Sequence, residues 1–192
     1  NDLNLLGDFL FNSATGLTPR LNEVTFNGAG AQALNGSNVP NFYDLTFNSG
    51  GAVTLGVGVD IAHNFLMTTA MTHGSQTVTM NGTVAQDINT QAGSPLHGLL
   101  ISNNIAPTTF SSNMDIEGDF TYNAPAQTLN PSTNLVTFNS AAATQSILGS
   151  GTPTFYNLII NNTFGSVTFG TDINVTHNLV TTTAIAHGNK IV

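Results

Sequence analysis

A short signature, Val-Thr, one apolar residue, then Asn, opens three segments of this chain. It reads VTFN at 24–27, VTMN at 78–81 and VTFN at 136–139, with starts 54 and 58 residues apart. Other landmarks keep the same step. FYDLTFN (42–48) matches FYNLIIN (155–161), with a weaker copy, LHGLLIS (96–102), between them. LGVGVDIAHNF (55–65) matches FSSNMDIEGDF (110–120) and FGTDINVTHNL (169–179). The opening LNLLGDFLFN (3–12) matches the end of that block, so the chain is expected to begin partway through a unit. A period of about 56 residues marks a stacked architecture. The expected division is 1–23 as the end of a preceding unit, then units 24–77, 78–135 and 136–192, all within one continuous stacked domain.

The local patterns predict an all-β chain. Helical apolar spacing is absent, whereas LTFN, AVTLGV, TVTMN, NLVTFN, NLIIN and SVTFG are short, β-branched or aromatic, and closed by Asn, Gly or Ser. The pieces between them, such as NGAGAQALNGSN and LGSGTPT, are turn chemistry. Taking each apolar-then-Asn mark as a strand end gives Asn12, Asn27, Asn48, Asn81, Asn123, Asn139 and Asn161, with Thr68, Ser102 and Thr182 in equivalent places. Three marks per unit imply coils of about 19 residues, and two coils of about 28 fit nearly as well. The predicted fold is a β-solenoid, a parallel β-helix built from repeats of about 56 residues. The alternative is a string of small β-sandwich modules, although a sandwich more often needs about 100 residues. An Asn at a recurrent corner is expected to bond to its counterpart one coil away.

Composition narrows the function. Only 6% of residues are charged, the net charge is -8, and Arg20 and Lys190 are the two basic residues. Phosphate neutralisation requires clustered Lys and Arg, so nucleic acid is not an expected partner. Anionic lipid is disfavoured on the same ground. The chain has no cysteine, hence no disulfide framework. No apolar run approaches the roughly 18 residues of a membrane span, and no signal peptide is visible. The sequence reads as a piece of a longer mature protein.

At VTFNGAGAQAL, FYDLTFNSGGAVTLG and DIAHNFLMTT the chain resembles the β-strand repeats of very large secreted bacterial surface proteins, the adhesin-like repeat arrays. The resemblance runs from Leu3 to Val192. It implies an extracellular or cell-surface stalk, fibre or adhesin, as in a biofilm, and no enzymatic activity. It brings no set of functional residues. The implied partners are neighbouring repeats or other copies of the chain, and surface glycans.

Each residue with chemical potential also admits a structural role. His63 and His177 are repeat equivalents, as are His73 and His187, and the second unit places Glu117 in the line of His63. Equivalents two units apart lie too far apart for one metal ion, so no metal or cofactor site is expected. Asp8, Asp119, Asn64 and Asn178 align, as do Asp60, Asp115 and Asn174. Such alternation of Asp with Asn predicts a hydrogen-bond acceptor rather than an acid–base group. Asp115, Glu117 and Asp119 form the densest acidic patch, with side chains expected on one face, where calcium is the ligand to consider. No catalytic residues are expected, and an enzyme cleaving polysaccharides would have to use such Asp residues. Thr68 and Thr69 correspond to Thr182 and Thr183, the start of a threonine row of the kind used in ice binding. Tyr43, Tyr122 and Tyr156 are expected to be exposed, where they would stack on sugars. Asn35, Asn81, Asn161 and Asn174 head glycosylation sequons.

Overall fold

The computed structural model describes residues 2–18 and 20–192. The chain is all-β and winds as a β-solenoid of about nine turns. Every strand pairing among the described residues is parallel, which removes the antiparallel sandwich alternative. With neighbouring strands about 4.8 Å apart, the rod is roughly 40 Å long.

Three faces run along the rod. The first carries Leu3–Leu5, Glu23–Phe26, Asp44–Phe47, Asn64–Met67, Gln86–Asn89, Thr108–Phe110 and Leu129–Asn130. The second begins with Phe9–Phe11, Gln32–Gly36, Val53–Leu55 and Met71–Thr72. It continues through the single bridge Leu96–Ile116 into Met114–Ile116, Leu135–Phe138, Thr154–Ile160 and Asn174–Thr181. The third stacks eight strands, from Asn41–Phe42 to Ile185–Ala186. Coil length is uneven, because the corners absorb insertions: Val167 meets Ile185, 18 residues on, whereas Phe120 meets Ile147, 27 on.

Alternation along each short strand sends one side chain in and the next out. The inward set, from Phe26 to Ile173, forms a single buried cluster along the rod. Aromatic rings stack along its axis. Phe47 lies edge-on to Phe26 and Phe65, with centroids 5.4 Å away on both sides. Close packing of coil on coil excludes side chains at some corners. At Gly149 the backbone adopts φ +129, and a Cβ there would stand 2.0 Å from the Tyr122 carbonyl oxygen.

The Asn marks do end strands. The N–H of Asn48 donates to the Phe26 carbonyl of the preceding coil at 2.8 Å, and Asn161, Asn81 and Asn123 donate likewise to Phe138, Ile61 and Ile101. Thr68 and Thr182 hold the same place, donating to Phe47 and Ile160. The expected Asn-to-Asn bond forms at Asn27, whose Nδ2 donates to Asn4 Oδ1 one coil away at 3.0 Å, and elsewhere a mixed pair takes its place. Thr68 Oγ1 donates to Asn48 Oδ1 at 2.7 Å, and Thr182 Oγ1 to Asn161 Oδ1 at 2.6 Å.

The repeat and the coil are out of phase. Val24 lies on the first face, Val78 on the third and Val136 on the second. From Glu23–Phe26 to Thr77–Met80 the chain passes eight strand positions, and eight more, counting the bridge at Leu96, to Leu135–Phe138. Eight is not a multiple of three, so a repeat fills about two and two-thirds coils, neither three nor two. The apolar residues Phe26, Phe47, Met80, Phe138 and Ile160 therefore do not form one row. The first two line one face, Met80 another, and the last two the remaining one.

Candidate functional site

The carboxylates serve mainly as acceptors for backbone N–H groups one coil away. Asp8 Oδ1 accepts from Ala33 at 2.8 Å, Asp119 Oδ1 from Ser146 at 2.8 Å, and Asn64 Oδ1 does the same for Asp87 at 3.2 Å. This is the role that the Asp/Asn alternation predicts. The three acids of the densest patch do not share a face. Asp115 points out from a strand of the second face, Glu117 turns at the following corner to His73, and Asp119 begins the third face. The chain bends at this corner, so strict alternation does not carry across it.

Asp60 is a different case. Burial raises its carboxyl above the ordinary value, and hydrogen bonds from Thr79 and Asn81 act against that. A carboxyl raised in the folded state favours folding below its unfolded value, and that contribution is lost as pH rises through the folded value. Asp60→Asn is therefore expected to stabilise the chain at pH 7, with the gain vanishing below the ordinary aspartate value of 3.8. Urea unfolding at neutral and acid pH checks this. An equal gain at both would remove the carboxyl as the cause.

The histidines sit at corners. His63 stacks on Tyr43 with centroids 4.7 Å apart, and its Nδ1 donates to Asp44 Oδ1 at 2.8 Å. His177 repeats this on Tyr156 at 4.7 Å, with Asn157 Oδ1 accepting at 2.9 Å. In the middle unit the place of His63 falls to Gly118, not Glu117. The Gly118 N–H donates to the His97 carbonyl as His63 N–H does to that of Tyr43, and Glu117 is one residue short of that register. His97 thus stands where the other units have tyrosine.

His73, His97 and Glu117 occupy one corner on three successive coils. The His73 and His97 rings are 5.3 Å apart, and His73 Nε2 lies 3.0 Å from Glu117 Oε2. His73 Nδ1 accepts from the Ser75 N–H at 3.0 Å, so Nε2 carries the hydrogen and donates to Glu117. Both ring nitrogens are thereby engaged. Among the described residues no group of three His, Asp or Glu side chains is arranged to hold a metal ion.

Two further expectations change. Tyr122 is buried, 2% exposed, because it follows Phe120 by two residues and shares its inward side. Its hydroxyl donates to the Gln127 carbonyl at 2.8 Å, and burial raises its pKa, opposed by a hydrogen bond from Leu129. Tyr43 and Tyr156 are half-buried, each with a ring face covered by histidine. The threonine row does not form either. Thr68 and Thr69 turn the corner between the first and second faces, whereas Thr182 and Thr183 turn that between the second and third.

The outward surface of each repeat carries a shallow groove across three coils. In the first unit Glu23, Asp44, Thr46, Asn64 and Leu66 line about 210 Å³. In the third, Leu135, Asn157, Ile159, Asn178 and Val180 line about 250 Å³. The middle groove, with Thr77, His97, Gly98, Leu100, Asp119, Thr121 and Asn123, reaches about 360 Å³. Register makes the three equivalent: Asp44, Gly98 and Asn157 occupy one position, and Thr46, Leu100 and Ile159 another. They lie on the first, third and second faces in turn.

A buried glutamine recurs at one position of each unit, inconspicuous in the sequence among turn residues. Gln32, Gln86 and Gln145 are all nearly inaccessible. Gln145 accepts from Ser140 N–H and Asn162 Nδ2, both at 3.0 Å, and donates to the carbonyls of Ile116 and Gly118 at 2.7 and 3.0 Å. Gln32 does the same with Gly28, Leu5 and Gly7. The signal is present in NGAGAQ, NGTVAQ and NSAAATQ, where Gln follows the Asn mark at a nearly fixed offset.

Among the described residues no helix is long and apolar enough to cross a membrane. In comparisons with known proteins the chain matches no family model, no curated protein and no solved structure.

Proposed function

We propose that this chain is a rod segment of an extracellular stalk, fibre or adhesin, built by coil stacking. The observation that carries the reading is one apolar cluster continuing along parallel ladders on three faces. Ladders of this kind lengthen by pairing with further strands. Their partners in this reading are neighbouring repeats or other copies of the chain. The low charge density places little repulsion between coils, and the surface of Asn, Thr, Ser and Gly suits a scaffold in water.

Sedimentation velocity and electron microscopy of the purified chain test this. The expected result is concentration-dependent rods in length steps of roughly 40 Å, shortened by Leu179→Pro, which removes an N–H that the strand Asn174–Thr181 points away from Thr154–Ile160. Monodisperse monomer at every concentration would overturn it. A second reading, saccharide recognition on the rod's side, is favoured by the grooves that recur on its faces, polar in the first and middle units.

A further inference from the structure

We infer that the groove of the middle repeat is a binding site for a neutral saccharide, an inference that rests on the second reading above and names its site. The three grooves are one surface in three versions, and in the flanking two a polar side chain of the lining is tied to a histidine. Asp44 holds His63 in the first, and Asn157 holds His177 in the third. In the middle version both partners are glycine, Gly98 and Gly118, and the groove is the largest of the three. A Cβ at Gly98 would meet Thr77 Oγ1 at 2.6 Å, so the Thr77 hydroxyl lies against Gly98, on the side where Asp44 and Asn157 carry their side chains in the other two units.

The lining suits a polyhydroxylated ligand. Leu100 offers an apolar centre, and Thr77, Thr121 and Asn123 surround it with hydroxyl and amide groups. Asp119 spends one oxygen on Ser146 N–H and keeps further acceptor capacity, and Asn123 Oδ1 accepts from Ser150 N–H, leaving its amide hydrogens to donate. The imidazole of His97 stands at the rim. A few directed polar groups about an apolar patch are the usual make-up of a small-ligand site. The floor is a fully paired sheet, Thr77–Met80 against Gly98–Ile101 against Phe120–Tyr122. It has no free ladder for an extended peptide, so recognition must fall to side chains. No Lys or Arg lines the groove, Asp119 is there, and the net charge is -8, which disfavours uronates and sulfated sugars.

The test is amide-resolved NMR titration of the whole chain with cellohexaose, xylohexaose, laminarihexaose and maltohexaose, with hexagalacturonate as the anionic control. At least one neutral hexaose is expected to give saturable shifts at the Gly98, Leu100, Thr121 and Asn123 amides, and the control none. Gly98→Asn, which restores the residue of the third unit, should weaken binding about tenfold or more, at some cost in melting temperature because its Cβ must displace the Thr77 hydroxyl. Thr121→Ile, on the exposed side of its strand, should do the same and serves if Gly98→Asn fails to fold. Saturable shifts at the Asp44 or Asn157 grooves instead, or undiminished binding by the variants, would overturn the middle groove while leaving side-on saccharide recognition standing. Absence of saturable shifts anywhere would remove both.

Discussion

Replacing Gln145 with leucine is expected to lower the unfolding free energy by about 3–5 kcal/mol. The side chain is fully buried, so water does not compensate for what is lost. Leucine has nearly the same size but leaves the Ser140 N–H and the Gly118 carbonyl without the partner they have now. It also removes one of the two acceptors used by the Asn162 amide, the other being the Ala143 carbonyl. The loop 139–144 would lose its tie to the coil below, and through Asn162 the loop above it would loosen as well. Urea unfolding gives the number. A loss below about 1 kcal/mol, the ordinary net worth of one hydrogen bond, would show that the loops are held by something else. Gln32→Leu is expected to cost less, since its partners Leu5 and Gly7 lie in the outermost coil.

Phe47→Ala is expected to cost about 3–5 kcal/mol, the usual range for emptying an aromatic site in a core. Phe47 is completely buried and touches a ring above and a ring below. Those neighbours are fixed by their own ladders, so they cannot close the void without breaking strand register. Each edge-to-face contact adds about 0.5–1.5 kcal/mol to the loss. Because each coil contacts only its neighbours, the damage should be local. Hydrogen exchange should accelerate in residues 23–67 and stay slow in 154–169. Uniform acceleration along the rod would mean that the coils unfold as one unit, contrary to that expectation.

Much of the fold is legible in the repeat signature, and the reason is chemical. An apolar residue followed by Asn or Thr is where a strand ends and the next corner needs a polar group, so the marks locate the strand ends directly. The exchange of Asp8 and Asp119 for Asn64 betrays an acceptor because either residue caps a neighbouring N–H. Coil count is less legible, since corners vary by several residues and the marks record about three strand ends in eight. Tyr122 departs from its expected exposure because strand parity, not its hydroxyl, decides its side. Its parity with Phe120 puts it inside, just as the odd step from Phe42 puts Tyr43 outside. The glutamine staples hid among turn residues, where a polar side chain draws no notice until it is seen to turn inward. The middle groove depends on two glycines 20 residues apart, Gly98 and Gly118, whose adjacency exists only once the coil length is known.

The mismatch between eight strand positions and three sides makes repeat number a clocking device. Adding one repeat would lengthen the rod by roughly 13 Å and swing everything beyond it by a third of a revolution. Adding three would lengthen it by roughly 38 Å and restore the original heading. A stalk that varied its repeat count in threes would thus change reach alone. Any other change would also re-aim whatever it carries at its tip.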